Sequence, residues 1–322
     1  MRLRLCRIND RRKSKALSEI QQNIYLQRVN LVLDYINTHL CDELTLKKLA
    51  DVAGFSEYHF HRIFKSVTEE TVSQVVWRTR VERGAALLRA DKNMQVSDAA
   101  IRCGFDSLAG FSRAFKTRFG LSPTQWDRQT RLQDEERILN EHFPVYHIAD
   151  LQSCNEHFDV HFRQLEAQQL AYIRVYEPFL TDGRISDAYQ RLINWYLACG
   201  GQLGDTTLYG MSMDDRDITP GHLCRFDWCL RVPAHWKGDD EISIRHLPAC
   251  KVGAVTMDGG DLRLEDRIWQ YLWRYWLPRS NYKPIDLPAM EIYKELPQHL
   301  DRQANGWWDH FYLECAIPVT QL

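Results

Sequence analysis

The sequence lacks long apolar runs. No stretch of its 322 residues approaches the roughly 18 consecutive apolar side chains that a membrane-spanning helix needs. The first residues are rich in arginine, but no apolar segment follows them, so we expect no secretory signal. These absences predict a soluble protein of the cytoplasm with no membrane partner.

Cysteines with the spacing of a metal or redox site are also missing. The chain has nine cysteines, an odd number, and no two of them form a Cys-x-x-Cys pair. The close histidine pairs His59/His61 and His157/His161 complete no zinc-ligand pattern. We therefore expect reduced thiols, no metal site and no bound cofactor.

Charge is distributed unevenly along the chain. The net charge of −2 is the sum of a positively charged first half and a negatively charged second half. Residues 1–131 carry 23 Lys and Arg against 14 Asp and Glu, whereas residues 132–322 carry 18 against 29. This asymmetry predicts that only the first half binds a polyanion. Seven basic side chains lie within the first 15 residues, which we interpret as part of a flexible basic arm over residues 1–27.

An internal repeat occupies the basic half. The sequence ADVAGF at 50–55 corresponds to AIRCGF at 100–105, and each copy is followed by Phe, Arg, Phe and Lys in that order. Each copy has small apolar side chains at helical spacing, then a glycine where a helix can end. A capping residue for a second helix follows, Ser56 in the first copy and Asp106 or Ser107 in the second. We predict an all-α DNA-binding domain with two helix-turn-helix units over residues 28–130.

A long helix is predicted between the two units, from Val72 to Ala90. Its mixed apolar face consists of Val72, Val75, Val76, Thr79, Arg83, Ala86, Leu87 and Ala90. At 1.5 Å per residue the helix spans about 28 Å, close to the ~34 Å that separates successive major grooves on one side of DNA. The length suits a single chain that inserts two recognition helices into duplex DNA.

The exposed face of the first recognition helix carries the side chains suited to base reading. Arg62 can make a bidentate contact to guanine, His61 can bond to a base edge, and Tyr58 can pack on a thymine methyl. The same face of the second helix is poor in polar side chains, so we expect it to anchor through Arg113 and Lys116. The predicted DNA-binding residues are Lys47, Lys48, Glu57, Tyr58, His61, Arg62, Lys65, Ala109, Gly110, Arg113 and Lys116.

The acidic half has a different pattern, which begins after a predicted linker at 131–156. Alternating apolar residues predict strands, and helical periodicity at 187–199 and 264–276 interrupts them. The order β-β-α-β-β-β-α-β-β predicts an α+β domain over residues 157–322 whose two halves are related.

Three segments of the basic half carry a specific pattern: VSDAAIRCGFDS at 96–107, FSRAFKTRFG at 111–120 and SPTQW at 122–126. With the long helix before them, they resemble the DNA-binding domain of AraC/XylS-family transcription regulators over residues 28–130. The resemblance implies a bipartite DNA site read by one chain, a cytoplasmic location in bacteria, and RNA polymerase as a protein partner. Asp127 departs from the family pattern, which usually has arginine there.

Scattered motifs of the acidic half also follow a family order: YGMSMDDRDITP at 209–220, RFDWC at 225–229, LPA at 247–249, WLPRSNY at 276–282 and MEIY at 290–293. They are similar to GyrI-like effector-binding domains. The resemblance implies two β-α-β-β repeats that form a shallow cleft lined by aromatics, with a buried glutamate, here Glu291, facing the ligand. Residues 257–260 depart from the family's glycine-aromatic signal, which puts the lip of the cleft in doubt.

The predicted ligand site centres on Glu291. If Ile292 points to the core, Glu291 and Tyr293 share the cleft face. A carboxylate among aromatic side chains suits a lipophilic cation through charge and cation–π attraction. The predicted ligand-binding residues are Glu291, Tyr293, Tyr172, Trp195, Trp228, Trp269, Trp273 and Trp308.

Three functions remain open at this point. The first is a DNA-binding transcription regulator controlled by a small molecule. In the second, Glu291 and Tyr293 position water and the C-terminal domain is a small-molecule hydrolase; in the third, that domain contacts only protein partners. The sequence contains no visible nucleophile–base pair, so we assign no catalytic residue and predict that the chain is not an enzyme.

Arg62→Ala is predicted to weaken specific DNA binding by about 1–3 kcal/mol, because it removes a bidentate contact to guanine. The measurement is a titration of the full chain on a duplex selected from a random library, together with footprinting. Unchanged affinity and unchanged sequence preference would overturn the assignment of the first recognition helix.

Overall fold

A computed structural model describes residues 22–128, 157–178, 183–259, 262–297 and 312–322 of the chain. Most of the predicted basic arm, the whole predicted linker at 131–156 and the predicted ligand residue Trp308 lie outside the described residues. The chain divides into two compact units. One comprises the described residues up to Arg80 with Lys237–Ser243, and the other comprises the described parts of Val81–Trp236 and Ile244–Leu322.

The first helix-turn-helix consists of α2 (Leu46–Ala53) and α3 (Glu57–Thr68), and α1 precedes it over residues 22–38. Thr45 caps α2 and Ser56 caps α3, each through a side-chain oxygen that accepts a hydrogen bond from a backbone amide in the first turn. The turn passes through Gly54, whose φ of 70° lies in the left-handed region that favours glycine. The predicted two-helix unit is confirmed.

The second helix-turn-helix consists of α5 (Val96–Arg102) and α6 (Leu108–Phe119). Ser107 caps α6 by accepting a hydrogen bond from the amide of Gly110 at 3.1 Å. The helix buries Phe111 and Phe115 in one core cluster with residues of α5 and of the helix between the two units. The repeat therefore produces the same two-helix arrangement twice.

The helix between the units is α4 (Val72–Ala90), and it supplies buried side chains to both compact units. Its first half buries the predicted valines, including Val72 and Val75. Its second half buries Val81, Ala85 and Leu88 against α5 and α6, so the buried face is turned relative to the prediction. The predicted residues that are only half-buried are Arg83, Ala86, Leu87 and Ala90. No helix among the described residues is both long and apolar enough to cross a membrane.

The C-terminal domain is built on one nine-stranded sheet. Its strands are β1 (His161–Leu165), β2 (Gln168–Tyr176), β3 (Leu208–Ser212), β4 (Arg225–Val232), β5 (Ser243–Leu247), β6 (Cys250–Asp258), β7 (Tyr282–Pro284), β8 (Met290–Tyr293) and β9 (Tyr312–Gln321). Helix α7 (Arg184–Ala198) follows β2, and α8 (Leu262–Gln270) follows β6. The strand order is β1-β6-β9-β8-β3-β4-β2-β5, and β7 pairs with β9.

The sheet is built from two related halves. The series β1, β2, α7, β3, β4 corresponds to β5, β6, α8, β8, β9. When each strand is replaced by its counterpart in the other series, the strand order of the sheet is the same, read from the opposite edge. The central pair of the sheet is therefore β3 with β8, one strand from each half. This confirms the predicted α+β fold with two β-α-β-β repeats, although the sequence patterns did not predict the short strands β5 and β7.

The two faces of the sheet have different environments. On the face that we call the inner face, Ile292 joins a core cluster made of residues from the strands. On the opposite, helix-covered face, the ring nitrogen of Trp228 donates to the carbonyl of Ile185 in α7 at 2.9 Å. Strand register places Gly210 and Glu291 on the same helix-covered face as Trp228. The fold thus brings the predicted acidic residue under the helices.

Gly84→Ala is predicted to destabilise the chain, because a Cβ at Gly84 would lie 2.5 Å from Cε2 of the buried Phe111 ring. Overpacking of this kind costs about 1–3 kcal/mol, which outweighs the ~1 kcal/mol that alanine gains over glycine in a helix. The free energy of unfolding is measured by chemical denaturation. Gly204→Ala is the matched control, because a Cβ there meets nothing within 4 Å. Equal stability of the Gly84 variant and wild type would contradict this packing.

Candidate functional site

Helix α3 presents the predicted base-reading side chains on one exposed face. Phe60, Ile63 and Phe64 anchor the opposite face in the core. Tyr58 is 73% exposed, and the guanidinium carbon of Arg62 lies 5.7 Å from the centre of its ring. The exposed predicted residues of this helix are Glu57, Tyr58, His61, Arg62 and Lys65. Their common exposure is what a major-groove reading helix requires.

The two lysines at the start of α2 are not equivalent. Lys47 is exposed and free of any ion pair in the described part of the chain. The ammonium of Lys48 lies 3.4 Å from a carboxylate oxygen of Asp42 and 5.6 Å from the ring centre of Tyr35. Lys48 must therefore leave these contacts to reach a phosphate, so Lys47 is the better placed of the two.

Helix α6 has the same arrangement with different side chains. Ala109, Arg113 and Lys116 are exposed and Gly110 is half-buried, while Phe111 and Phe115 fill the core. Two cations flanked by small residues allow close approach to a phosphate backbone and supply few groups for base recognition. The predicted anchoring residues Arg113 and Lys116 are therefore exposed on one helix, and their role in DNA binding stays a prediction.

The second candidate site is formed by Glu291 at the centre of the C-terminal sheet. Glu291 pairs with Gly210 across the β3–β8 ladder, and a Cβ at Gly210 would overlap its carboxylate. The Tyr293 hydroxyl donates to Oε2 of Glu291 at 2.8 Å. Ile292 lies in the inner-face cluster between them, so Glu291 and Tyr293 share one face of β8.

A second acid, Glu265, meets Glu291 from helix α8. Its side chain is 9% exposed, and the ring nitrogen of Trp269 donates to its Oε1 at 3.1 Å. The two carboxyl groups are close enough for each to influence the pKa of the other. Burial raises the pKa of both carboxyls, and the charge of Glu291 raises the pKa of Glu265 further. Two acids in contact away from water hold a proton more readily than a single exposed acid.

Sequence reasoning missed Glu265, although a signal for it exists. Glu265 lies four residues before Trp269, which places both on the same face of α8. An acid on the aromatic face of an amphipathic helix faces the core rather than solvent. That position distinguishes Glu265 from the other acid of this helix, the half-buried Asp266.

Two further groups complete the electrostatics around the acid pair. The positive charge of Arg216 lowers the pKa of both carboxyls and so opposes the effect of burial. Cys315 pairs with Glu291 across the β8–β9 ladder and is fully buried. Burial, followed by the charges of Glu265 and Glu291, raises the pKa of the Cys315 thiol, which keeps it protonated.

Three of the predicted aromatic residues surround the acid pair. Tyr293 bonds to Glu291, and its ring centre lies 5.5 Å from that of Trp228. Trp269 bonds to Glu265. Trp228 and Tyr293 are buried, and Trp269 is half-buried, so acids and aromatics form one cluster under the helices.

The structure places the other predicted aromatics elsewhere. Tyr172 lies in the inner-face cluster, 3.7 Å below the guanidinium carbon of Arg245, because its position in β2 has the opposite parity from that of Trp228 in β4. Trp195 packs on Trp236, with ring centres 5.7 Å apart. Trp273 is half-buried in the π-helical turn after α8. Tyr172 therefore lies on the opposite face of the sheet from Glu291, and Trp308 lies outside the described residues.

The described parts of the chain contain no group of three or more His, Cys, Asp and Glu side chains that could hold a metal ion. The acid pair has two such side chains, and its immediate partners are the hydroxyl of Tyr293 and the indole of Trp269. Hydrogen-bond donors in these positions stabilise carboxylates and leave no third metal ligand of the carboxylate type.

Two family models match the chain. One describes a helix-turn-helix domain and matches residues 49–129. The other describes a GyrI-like small molecule binding domain and matches residues 158–306. The two matches coincide with the paired helix-turn-helix region and with the sheet domain that holds the acid pair. An AraC-type DNA-binding region and a GyrI-like domain thus lie in one chain.

Curated relatives match the helix-turn-helix region. The probable transcriptional regulator LumQ of Photobacterium leiognathi is 35% identical over 103 residues, which cover 31% of this chain and 41% of LumQ. The transcriptional regulator Rob of Salmonella typhimurium is 32% identical over 99 residues, which cover 31% of this chain and 34% of Rob. The multiple antibiotic resistance protein MarA of Escherichia coli is 30% identical over 112 residues, which cover 35% of this chain and 87% of MarA. The chain thus spans less than half of LumQ and Rob but most of MarA, and it belongs to the AraC/XylS family of transcriptional regulators.

Proposed function

We propose that this chain is a sequence-specific DNA-binding transcription regulator controlled by a lipophilic cation that binds beside Glu265 and Glu291. The observation that carries the proposal is the acid pair, in which Glu265 is buried and Glu291 is half-buried, bonded to Tyr293 and Trp269 with Trp228 packed on Tyr293, in the domain that matches a small molecule binding family. This proposal assigns sensing to the C-terminal domain and DNA reading to the helical region.

The helical region supports the DNA-binding part of the proposal. Arg62, His61 and Tyr58 project from α3 on the exposed face, and the charge of residues 1–131 is positive overall. Base edges offer bidentate partners to Arg62, whereas Lys47, Arg113 and Lys116 are suited to phosphates. The difference between α3 and α6 favours a DNA site with two unequal halves. In one half α3 reads the bases, and in the other α6 contacts mainly the phosphate backbone. RNA polymerase is the protein partner that we propose for the DNA-bound regulator.

The acid pair supports the choice of a cation. Buried carboxyls are costly when ionised, and a cation that enters the site offsets that cost through charge attraction. Aromatic rings attract cations through their faces, so a ligand with a delocalised charge and an apolar surface gains from both groups. A neutral ligand would gain only the aromatic contacts.

Two other functions are distinguishable from this one by experiment. The Tyr293 hydroxyl bonded to Glu291 could orient a water molecule, which would suit a hydrolase acting on a strained or activated small molecule. Alternatively, the sheet domain could contact only a protein. We propose that neither applies and that the chain is not an enzyme.

The cation proposal predicts that tetraphenylphosphonium, a permanent lipophilic cation, raises the Tm of the full chain and binds it measurably by calorimetry. Glu291→Gln should weaken tetraphenylphosphonium binding by about tenfold or more, a loss of at least ~1.4 kcal/mol, because the variant removes the charge and keeps the size. Binding of the neutral triphenylphosphine oxide should be equal in both proteins.

Glu166→Gln is the matched control for this experiment, because Glu166 is exposed in the turn between β1 and β2. It should bind the cation as wild type does. A shift with the neutral compound alone would contradict a cation site, and no shift with any compound would favour a protein-interaction domain. Turnover of an ester or strained-ring analogue would favour the hydrolase.

The acid pair also predicts a pH dependence of stability. Because burial raises the folded-state pKa of Glu265 and Glu291, folding favours their protonated forms. The stability that they contribute is complete below about pH 4, the ordinary range of glutamate, and is lost as pH rises through the folded-state values. Glu265→Gln stays neutral, so its Tm relative to wild type should increase as pH rises above the ordinary range of glutamate into the neutral and alkaline range.

Glu166→Gln serves again as the control, because it makes the same substitution at an exposed position outside the acid pair. A constant difference between Glu265→Gln and wild type across the same range would contradict the buried acid pair.

A further inference from the structure

The turn at residues 214–219, which we call the linking segment, connects β3 to β4 and is firmly anchored. Arg225 of β4 donates to both carboxylate oxygens of Asp214, from Nε at 2.8 Å and from Nη2 at 2.6 Å. The amides of Ile218 and Thr219 donate back to the carbonyl of Asp215. Because the segment is closed on itself and tied to β4, it moves as one piece with the strands that flank it.

One side of the linking segment is packed into the second helix-turn-helix, within the same compact unit. Ile218 is 1% exposed and belongs to the core cluster that contains Phe111 and Phe115 of α6. Burial of this isoleucine removes its apolar surface from water and so stabilises the contact. The hydrophobic core of the second DNA-binding unit is therefore completed by a residue of the sheet domain.

Buried polar contacts strengthen the same attachment. Glu82 of α4 is 7% exposed; its Oε2 accepts from the Thr219 hydroxyl at 3.0 Å, and its Oε1 accepts from Nη2 of Arg118 in α6 at 2.8 Å. Arg89 of α4 is paired with Asp215 and with Asp217 of the linking segment. One carboxylate, Glu82, thus joins the segment directly to the second recognition helix.

The other side of the linking segment faces helix α8, which carries Glu265. Asp217 accepts from Nη2 of Arg274 at 2.9 Å, in the turn that continues α8. The guanidinium of Arg216 lies 3.6 Å from Asp266 of α8, and its charge acts on both Glu265 and Glu291. Neighbouring residues of one rigid turn therefore contact the acid pair's surroundings and the second helix-turn-helix.

We propose that the linking segment positions α6 on DNA and transmits cation binding at the acid pair to it, with Arg216 as the positioning residue on the ligand side. The second part rests on the proposed function. A cation beside Glu265 and Glu291 repels Arg216 and competes for the negative charge that holds it. Movement of Arg216 displaces Ile218 and Thr219, which are two and three residues away, and these residues hold the core and the Glu82 bridge under α6.

The positioning role is tested without a ligand. Thr219→Val removes the hydroxyl that bonds to Glu82 and keeps the side-chain shape. On a duplex selected from a random library by the full wild-type chain, the variant should bind about fivefold or more weakly, since a buried carboxylate loses a donor. Footprint protection should fall in one half-site, the same half that Arg113→Ala affects, and stay intact in the other.

Thr206→Val is the matched control, because its hydroxyl also donates one hydrogen bond, here to the carbonyl of Arg231, but lies elsewhere in the sheet domain. Ile218→Ala is a second variant with the same expected footprint. The intact half-site shows that each variant is folded. Equal protection of both half-sites in the Thr219 and Ile218 variants would overturn the positioning role.

The transmission role is tested with tetraphenylphosphonium. Saturating cation should change the Kd of the wild-type chain for the selected duplex by at least about fivefold, the lower range of allosteric coupling. In Arg216→Met the change should shrink to less than about twofold although the cation still binds by calorimetry. Arg231→Met, on the exposed side of β4, is the charge-matched control and should keep the full change.

The outcomes separate the two proposals. If the cation binds and alters DNA affinity equally in wild type and Arg216→Met, the transmission role is overturned and the proposed function stands. If the cation does not bind wild type, the proposed function and the transmission role both fail, and the footprints of the Thr219 and Ile218 variants decide the positioning role alone.

Discussion

A carboxylate on the covered face of a sheet loses its water, and this loss costs several kcal/mol unless other groups replace the solvent. The surroundings of Glu291 follow from that constraint. Gly210 opposite it leaves room for the carboxylate, Tyr293 supplies a hydroxyl donor, and burial together with the charge of Glu291 raises the pKa of the neighbouring Glu265. The groups around Glu291 thus compensate for the water that its carboxyl group loses on folding.

The elements that the sequence predicts well are those governed by neighbouring residues. The caps at Ser56 and Ser107 and the left-handed turn at Gly54 depend on local backbone chemistry, so the repeat is interpretable from the order of its residues alone. The exposed face of α3 follows from helical periodicity in the same way. Glu291 could be placed on the covered face because Ile292 next to it is apolar and strands alternate.

Long-range partners escaped prediction for an equally physical reason. From the sequence alone, Glu82 looks like a solvent-exposed helix acid, but in the structure it bonds to Thr219 and Arg118. Ile218 likewise looks like a loop residue, but it is buried in the core of the second helix-turn-helix. No periodicity encodes such pairs, because Glu82 and Ile218 meet partners from segments far away in the chain. The face on which Tyr172 lies could not be predicted, because the sequence of one strand shows only which residues alternate. The register with a neighbouring strand is needed to assign each set of residues to a face of the sheet.

The central strand pair has a consequence for how such a domain can be assembled. In a symmetric dimer of identical halves, every contact across the seam occurs twice or joins like residues. The seam here joins unlike residues at three of its four paired positions, and one of these pairs is a glycine facing a glutamate. Joining the halves in one polypeptide releases each from matching the other, so one half can contribute the charge and the other the space that admits it. Covalent fusion is what makes a one-sided recognition site possible at the centre of a nearly two-fold molecule.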